Sequence, residues 1–368
     1  MLDSLSSVVP LLRKMQQSEN LTSEEAFEAL DTILEYDETG YFYLALNFGI
    51  MIKGPTADEL YGFCQTYDKR SVKLKPNVPY ELVTDVSGTG GDRRKTFNVG
   101  TTASFIVAAG GLYVAKQTFR SFTGVSGSSD MFEAFGVRVP FVDGDPKGVE
   151  DTLEQLGIAP YYYPSFGTGL ATWPRVEKKF IDAGLTFLEP PHLIAFAYAP
   201  LKMKARVYGV FSEQYLEVLA RLLRKLGLER GMTVHGLDGI DEVSNIGATR
   251  ICEFKGDEFE SYTITPEDLG LEKATYEDIK GVSKEQSIID FVRILYGADR
   301  GPKLDIVLAN AAAALYVTGK AKSLADGVAL ARSLLDDGLA AEKLEALVDL
   351  KGDAAALDKW KAKAGVAS

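Results

Sequence analysis

Asp85-Val86-Ser87-Gly88-Thr89-Gly90-Gly91-Asp92 reads as the end of a strand running into a glycine turn, with a helix expected to begin near Asn98 or Thr101. Glycine has no Cβ, so backbone N–H groups in such a turn can approach a phosphate closely, and a helix start beyond it favours negative charge. The same pattern also describes an ordinary tight turn, so its meaning comes from its surroundings. Around it, short β-branched runs (Val83 to Val86, Leu112 to Ala115, Val137 to Phe141) alternate with helical stretches (Thr101 to Ala109, Ser128 to Phe135, Lys147 to Leu156). Alternation at this spacing implies parallel strands joined by helical crossovers.

An aromatic, turn-rich segment from Tyr161 to Gly169 interrupts the alternation, followed by a helical patch from Arg175 to Ile181. It resumes with a strand at Val207 to Phe211, a helix at Glu213 to Leu226 and a strand at Met232 to His235. Three helical segments, Lys284 to Leu295, Leu304 to Val317 and Leu324 to Leu335, close the chain. The first eighty residues are helical throughout: apolar residues recur at helical spacing from Leu5 to Met15, and Thr22 with Glu25 and Thr56 with Glu59 form capping boxes. The fold class is therefore α/β, a small all-helical unit beside a larger unit with a mostly parallel sheet flanked by helices. The expected division is a helical domain at 1–78 with a contribution from about 170–200, and an α/β domain at 79–169 and 201–368.

The 368 residues are 46% hydrophobic, enough for a sizeable core, and on a prior of about 150 residues per domain they suit two domains. No run approaches the ~18 apolar residues of a spanning helix, and Met1 to Gln17 lacks the charged-then-apolar order of a secretory leader, so a cytoplasmic protein is expected. Cys64 and Cys252 stand in no metal-ligand spacing and read as buried small apolar residues. With only His192 and His235, a multi-histidine metal centre is excluded, which leaves the chemistry to Lys, Arg, Asp, Glu and backbone groups. The net charge of −12 opposes general nucleic-acid affinity but leaves room for a local basic groove.

The ordered set of motifs resembles the anthranilate phosphoribosyltransferase family and its nucleoside-phosphorylase-like relatives. Gly88-Thr89-Gly90-Gly91-Asp92 with Thr96-Phe97-Asn98 is similar to the family's diphosphate loop and Asn-x-Ser-Thr turn. The segment from Val234 to Ser244, containing Asp241-Glu242, resembles its metal-binding segment, and Asp305 to Leu315 its core helix. The resemblance covers Thr22 to about Val348 and implies 5-phosphoribosyl diphosphate and Mg2+ bound in a cleft, an aromatic small-molecule acceptor, and a homodimer built through the helical unit. Carried over by position, it implies that Gly88, Thr89, Gly91 and Asp92 hold diphosphate and ribose beside Asn98 and Thr101. Lys116 and Arg120 would then line the sugar-phosphate site, and Asp241 with Glu242 would hold magnesium. No protein nucleophile is implied, because loss of diphosphate through an oxocarbenium-like state needs departing charge neutralised rather than a covalent intermediate.

Departures stand beside the matches. Lys116-Gln117-Thr118-Phe119-Arg120 replaces the family's Lys-His-Gly-Asn-Arg, Gly100 replaces a magnesium-directed Ser, and Thr123-Gly124-Val125 replaces Ser-Ser-Lys. These changes leave the acceptor open, anthranilate or another aromatic ring, and leave two alternatives: a pyrimidine nucleoside phosphorylase-like activity suggested by Thr118 and Ser121 to Gly124, or a homologue that only binds a ligand or nucleic acid. Plainer readings also stay open. Asp241-Glu242 fits a solvated loop, Lys116 and Arg120 surface charges, His235 a structural hydrogen bond, and the aromatics Tyr161 to Tyr163, Phe166 and Trp173 interface packing. Tyr41 to Leu46 suits either a dimer contact or core. Lys202, Lys204 and Arg206 share a face of an extended segment, a stripe either solvated or facing a phosphate.

Overall fold

The computed structural model describes residues 4–91, 94–119, 127–139, 146–162, 176, 178–179, 181–183 and 189–366. Four helices open the chain: α1 (Val8–Gln16), α2 (Ser23–Tyr36), α3 (Tyr41–Lys53) and α4 (Ala57–Arg70). Both capping boxes form as the sequence implies, since Thr22 and Thr56 accept from the N–H groups of Glu25 and Glu59 while each carboxylate reaches back to its cap. Such a cap contributes about 1 kcal/mol. Glu59 does more than cap: fully buried, it also accepts from the Leu21 N–H at 2.9 Å and pairs with Lys53 at 3.0 Å, tying α4 to the entry of α2.

The α/β part follows as β1 (Val83–Thr84), β2 (Val86–Gly88), α5 (Val99–Ala109), β3 (Tyr113–Thr118), α6 (Ser128–Ala134), α7 (Pro146–Leu156), β4 (Ile158–Tyr162), α8 (Glu189–Ala195), β5 (Ala205–Gly209), α9 (Leu216–Lys225) and β6 (Arg230–Gly236). It ends with β7 (Thr249–Lys255), β8 (Glu258–Ile264), α10 (Tyr276–Ile279), α11 (Lys284–Leu295), α12 (Pro302–Val317), α13 (Leu324–Asp336), α14 (Leu339–Lys351) and α15 (Ala354–Ala364). Strands β1, β3 and β4 form a parallel sheet in the order β1-β3-β4. A second sheet has the order β2-β5-β6-β7-β8, parallel through β6 and antiparallel beyond it. The segment from Val83 to Gly88 thus changes partner at Asp85, pairing with β3 before it and with β5 after it. Thr84 bridges the break by donating to the Ala205 carbonyl at 3.0 Å.

Period-two alternation sends the two faces of these strands into different cores. Val207, Met232 and Val234 pack with α5 and α12, whereas Tyr208, Cys252 and Phe254 pack with helical-unit residues such as Leu30, Tyr43 and Phe63. Both cysteines are buried thiols, as expected. Helix α12 can sit deep in the first core because Ala311 to Ala314 present almost no bulk and are fully buried.

Four sequence expectations change. Tyr161 and Tyr162 do not interrupt the alternation: they complete β4, in register with Gln117 and Thr118, while the rest of the aromatic segment to Gly169 lies outside the described residues. Val137 to Val139 forms no strand, because the Val137 N–H caps α6 by donating to the Phe132 carbonyl and Gly136, at φ +74°, turns the chain away. The β7–β8 hairpin, hidden by charged residues on its exposed face, and helices α14 and α15 add to the elements that the sequence implies. The stripe Lys202, Lys204, Arg206 is not a solvated face, since Lys202 is exposed while Arg206 is completely buried.

Candidate functional site

In open α/β sheets ligands bind beyond the carboxyl ends of the strands, where neighbouring connections diverge. That place here is the end of β2, flanked by β5, with the end of β3 alongside. The turn after β2 is tightly specified. The Thr89 N–H donates to the Gly209 carbonyl and the Gly90 N–H to Asp241 Oδ2, at 2.9 and 2.8 Å. Thr89 Oγ1 in turn accepts from the Phe211 N–H at 2.9 Å. A Cβ at Gly88 would overlap the Asp241 carboxylate, 2.9 Å from its Cγ, and one at Gly209 would overlap the Asp241 carbonyl, 2.8 Å from its carbon. Glycine is required there by close approach, and at Gly90 and Gly91 by φ values of +62° and +78°.

The expectation that the turn's N–H groups point at a phosphate is thereby revised for two of them. Thr89 and Gly90 use theirs inside the protein, so their contribution is to fix the shape of the loop and the orientation of Asp241. Among the described residues, a Cβ at Gly90 would meet nothing within 4 Å.

Asp241 and Glu242 are both only partly exposed, so the solvated-loop reading fails for this pair. Burial raises the Asp241 carboxyl above its ordinary value, opposed by the Gly90 N–H and by the charge of Lys95. Glu242 accepts from Thr96 Oγ1 at 3.0 Å. The next residue is held by Asn310, whose side chain accepts from the Val243 N–H and donates to the Val243 carbonyl, each at 3.0 Å. Lys95, Thr96 and Asn310 were not singled out from sequence for these roles. A lone amide within the alanine run of α12 was the available signal for Asn310.

Asn98 is the N-terminal flank of α5 and half-buried, and Thr101, in the first turn, is buried. Gly100 lets α5 lie close to β2, since a Cβ there would come within 3.2 Å of the Val86 carbonyl oxygen. Asp92 and Arg120, also expected at the site, lie outside the described residues. Lys116 is neither exposed nor at the surface. Its ammonium donates to the Val86 carbonyl at 2.8 Å and sits 3.4 Å from Asp85, which Arg206 holds from the other side at 3.0 Å. Burial pushes the Lys116 ammonium below its ordinary value, with Asp85 opposing.

His235 donates through Nδ1 to the Val210 carbonyl at 2.6 Å, the structural role. Gln117 is buried, donating to the Ala195 carbonyl at 2.8 Å and accepting from Tyr161 Oη at 3.4 Å. Phe119, just past the end of β3, meets Tyr162 and Phe196 with ring centroids 5.8 and 6.2 Å away, so an aromatic shelf stands at the carboxyl end of β3. Thr118, one motive for the phosphorylase alternative, donates instead to the Tyr161 carbonyl at 3.0 Å; Ser121 to Gly124 lie outside the described residues.

Two adjacent carboxylates, one oriented by a backbone N–H, suit a hard divalent cation that takes one or two protein carboxylates and completes its shell with water and substrate phosphates. Among the described residues no group of three or more His, Cys, Asp or Glu forms a closed cage. No helix among them is long and apolar enough to cross a membrane.

Comparison with known proteins agrees with this fold. The family model described as glycosyl transferase family, a/b domain, matches residues 80–341. The anthranilate phosphoribosyltransferase of Acetivibrio thermocellus is 37% identical over 344 residues, covering 92% of this chain and 95% of that protein. That of Methanosarcina mazei is 35% identical over 359 residues, covering 96% and 93%. The crystal structure of anthranilate phosphoribosyltransferase from Thermus thermophilus superposes with a TM-score of 0.83 at 31% identity, covering 92% of this chain and 98% of that one. The Saccharomyces cerevisiae enzyme in complex with PRPP and Mg shares the fold, with a TM-score of 0.79 at 21% identity over 94% of this chain and 97% of that one.

Proposed function

This chain belongs to the anthranilate phosphoribosyltransferase family, and from that premise we propose that it transfers phosphoribose from 5-phosphoribosyl diphosphate to an aromatic acceptor, with Mg2+ as cofactor. The single observation that carries the reading is the glycine turn locked across the ends of β2 and β5 by Asp241.

The donor's diphosphate lies against Gly88 to Gly91 and the start of α5, where Asn98 and Thr101 stand and the helix dipole favours negative charge. Asp241 and Glu242 would hold the magnesium, which when bound neutralises charge on the departing diphosphate. Thr96, Asn310 and the Gly90 N–H orient those two carboxylates. Lys116 contributes from behind the strand, setting the loop's position through Asp85 and Val86. Asp92 and Arg120 keep the roles the family resemblance gives them, on the ribose and the sugar phosphate. The aromatic shelf of Phe119, Tyr162 and Phe196 takes one face of the acceptor ring. A domain division near residue 78 gives these elements a cleft to close, and the exposed apolar face of α3 serves a homodimer.

The test is calorimetry of the full chain with 5-phosphoribosyl diphosphate, with and without magnesium, followed by loss of anthranilate fluorescence on turnover. Magnesium-dependent binding at micromolar donor is expected; no binding at millimolar donor removes the reading. Donor binding without anthranilate consumption keeps the transferase and assigns another aromatic ring as acceptor.

A further inference from the structure

A large cleft opens at the opposite end of the sheet, lined by Val83, Met203 and Leu228 just where β1, β5 and β6 begin, and walled by Tyr61 of α4 and Leu226 after α9. Its volume is about 1310 Å³, more than a drug-sized ligand needs. Strands of five to six residues separate it from the glycine turn by about 15–20 Å. We propose that this cleft binds an anionic small molecule with an apolar body, at a site separate from the glycine turn.

Charge is the first argument. The whole chain has 40 basic and 52 acidic residues, yet the cleft wall carries Lys69, Lys73, Lys75, Lys202, Arg206 and Lys225 against only Asp68 and Glu229. Three of these lysines are matched by carboxylates: Lys69 by Asp31, Lys73 by Asp68 and Lys225 by Asp58. Glu229 meets Lys204 at 3.4 Å. Lys75 and Lys202 have no ion-pair partner among the described residues, and both are exposed. They are brought together because the Leu74 N–H donates to the Pro200 carbonyl at 2.9 Å.

Arg206 supplies the second, independent argument. It is completely buried, and its terminal nitrogens donate to the Ala197 carbonyl, Asp85 and Ser87, but its Nε has no hydrogen-bond partner among the described residues. A buried donor without an acceptor carries a desolvation cost, and because Nε is itself closed to solvent, an anion or its bridging water at the cleft's inner wall removes that cost only as the Arg206 side chain shifts toward it. The apolar body has its own surfaces in Tyr61, Leu74, Met203 and Leu226. A compound with a carboxylate, sulfonate or phosphate on an aromatic or aliphatic frame meets both requirements. Since Arg206 also holds Asp85 and Ser87, such a ligand joins the helical unit to the strand that ends in the glycine turn.

The probe is 8-anilinonaphthalene-1-sulfonate, an aromatic sulfonate whose fluorescence rises on apolar burial, titrated into the full chain. One saturable site is expected, its affinity at least tenfold weaker in Lys75→Glu/Lys202→Glu and unchanged by millimolar 5-phosphoribosyl diphosphate with magnesium. Both lysines are exposed, so the variant should keep its circular dichroism and melting temperature. The proposal is overturned by no saturable binding, by equal affinity in the double variant, by displacement with the phosphoribosyl donor, or by equal binding of the uncharged analogue N-phenyl-1-naphthylamine. None of these readouts requires transferase activity.

Discussion

Asp241 is where stability and function oppose each other within one side chain. Its burial disfavours the carboxylate, so its folded value is raised above 3.8, while the Gly90 N–H and the charge of Lys95 hold it in place for a cation. An acid with a raised folded value penalises the folded state only when ionised: the penalty is absent below the unfolded value of about 3.9 and grows as pH climbs through the raised one. Asp241→Asn keeps an oxygen for the Gly90 N–H and removes the charge. The variant should therefore melt no lower than the parent at pH 7, with the gap in its favour narrowing toward pH 4, while losing at least a hundredfold in magnesium-dependent kcat/KM. Scanning calorimetry across that pH range checks the first part; a variant that melts lower at pH 7 than at pH 4 relative to the parent contradicts it. The sequence marked this carboxylate and the glycines beside it, because close approach leaves a signature in glycine itself. It could not show that Thr89 and Gly90 turn their N–H groups inward, since those partners, Gly209 and Asp241, lie more than a hundred residues away.

At the scale of elements, the helix starts and parallel strands were legible because caps and short-period patterns are local. The break at Asp85 was not, since β-branched residues run through it without interruption and only the change of partner strand reveals it. Likewise Lys116 and Arg206 read as surface cations, whereas period-two alternation turns both inward onto the one carboxylate at the break. Breaking a buried pair by removing one member costs about 3–5 kcal/mol, because the other charge stays buried and arginine cannot shed its proton. Asp85→Ala should accordingly lower the melting temperature by roughly 4–7 °C. Adding Arg206→Met to it should restore part of the loss, since no unpaired guanidinium then remains. A loss under about 1 kcal/mol for the single variant would mean that water, not Asp85, balances the charge at the break.

At the scale of the whole molecule, helix α3 is apolar on both sides, which a surface helix of an isolated chain is not. Tyr43, Leu46 and Ile50 fill the core, while Tyr41, Phe48 and Ile52 are 73%, 39% and 71% exposed and recur with Ala45 at one-turn spacing along the outer face. Val9 of α1 and Tyr36 of α2 are also exposed. The sequence offered core or contact for Tyr41 to Leu46; the helix buries Tyr43 and Leu46 and leaves Tyr41 and Ala45 exposed. A contiguous apolar face of this kind marks an interaction surface, and for a two-fold dimer it needs only to match itself. Ile52→Glu places a like charge on both sides of such an interface, where the pair cannot separate once desolvated. Its side chain faces outward in the single chain, so the monomer should keep its fold and, with the glycine turn on the other unit, most of its donor affinity. Sedimentation equilibrium at micromolar protein should then give one chain mass for the variant and twice that for the parent; equal masses for the two remove α3 as the dimer contact.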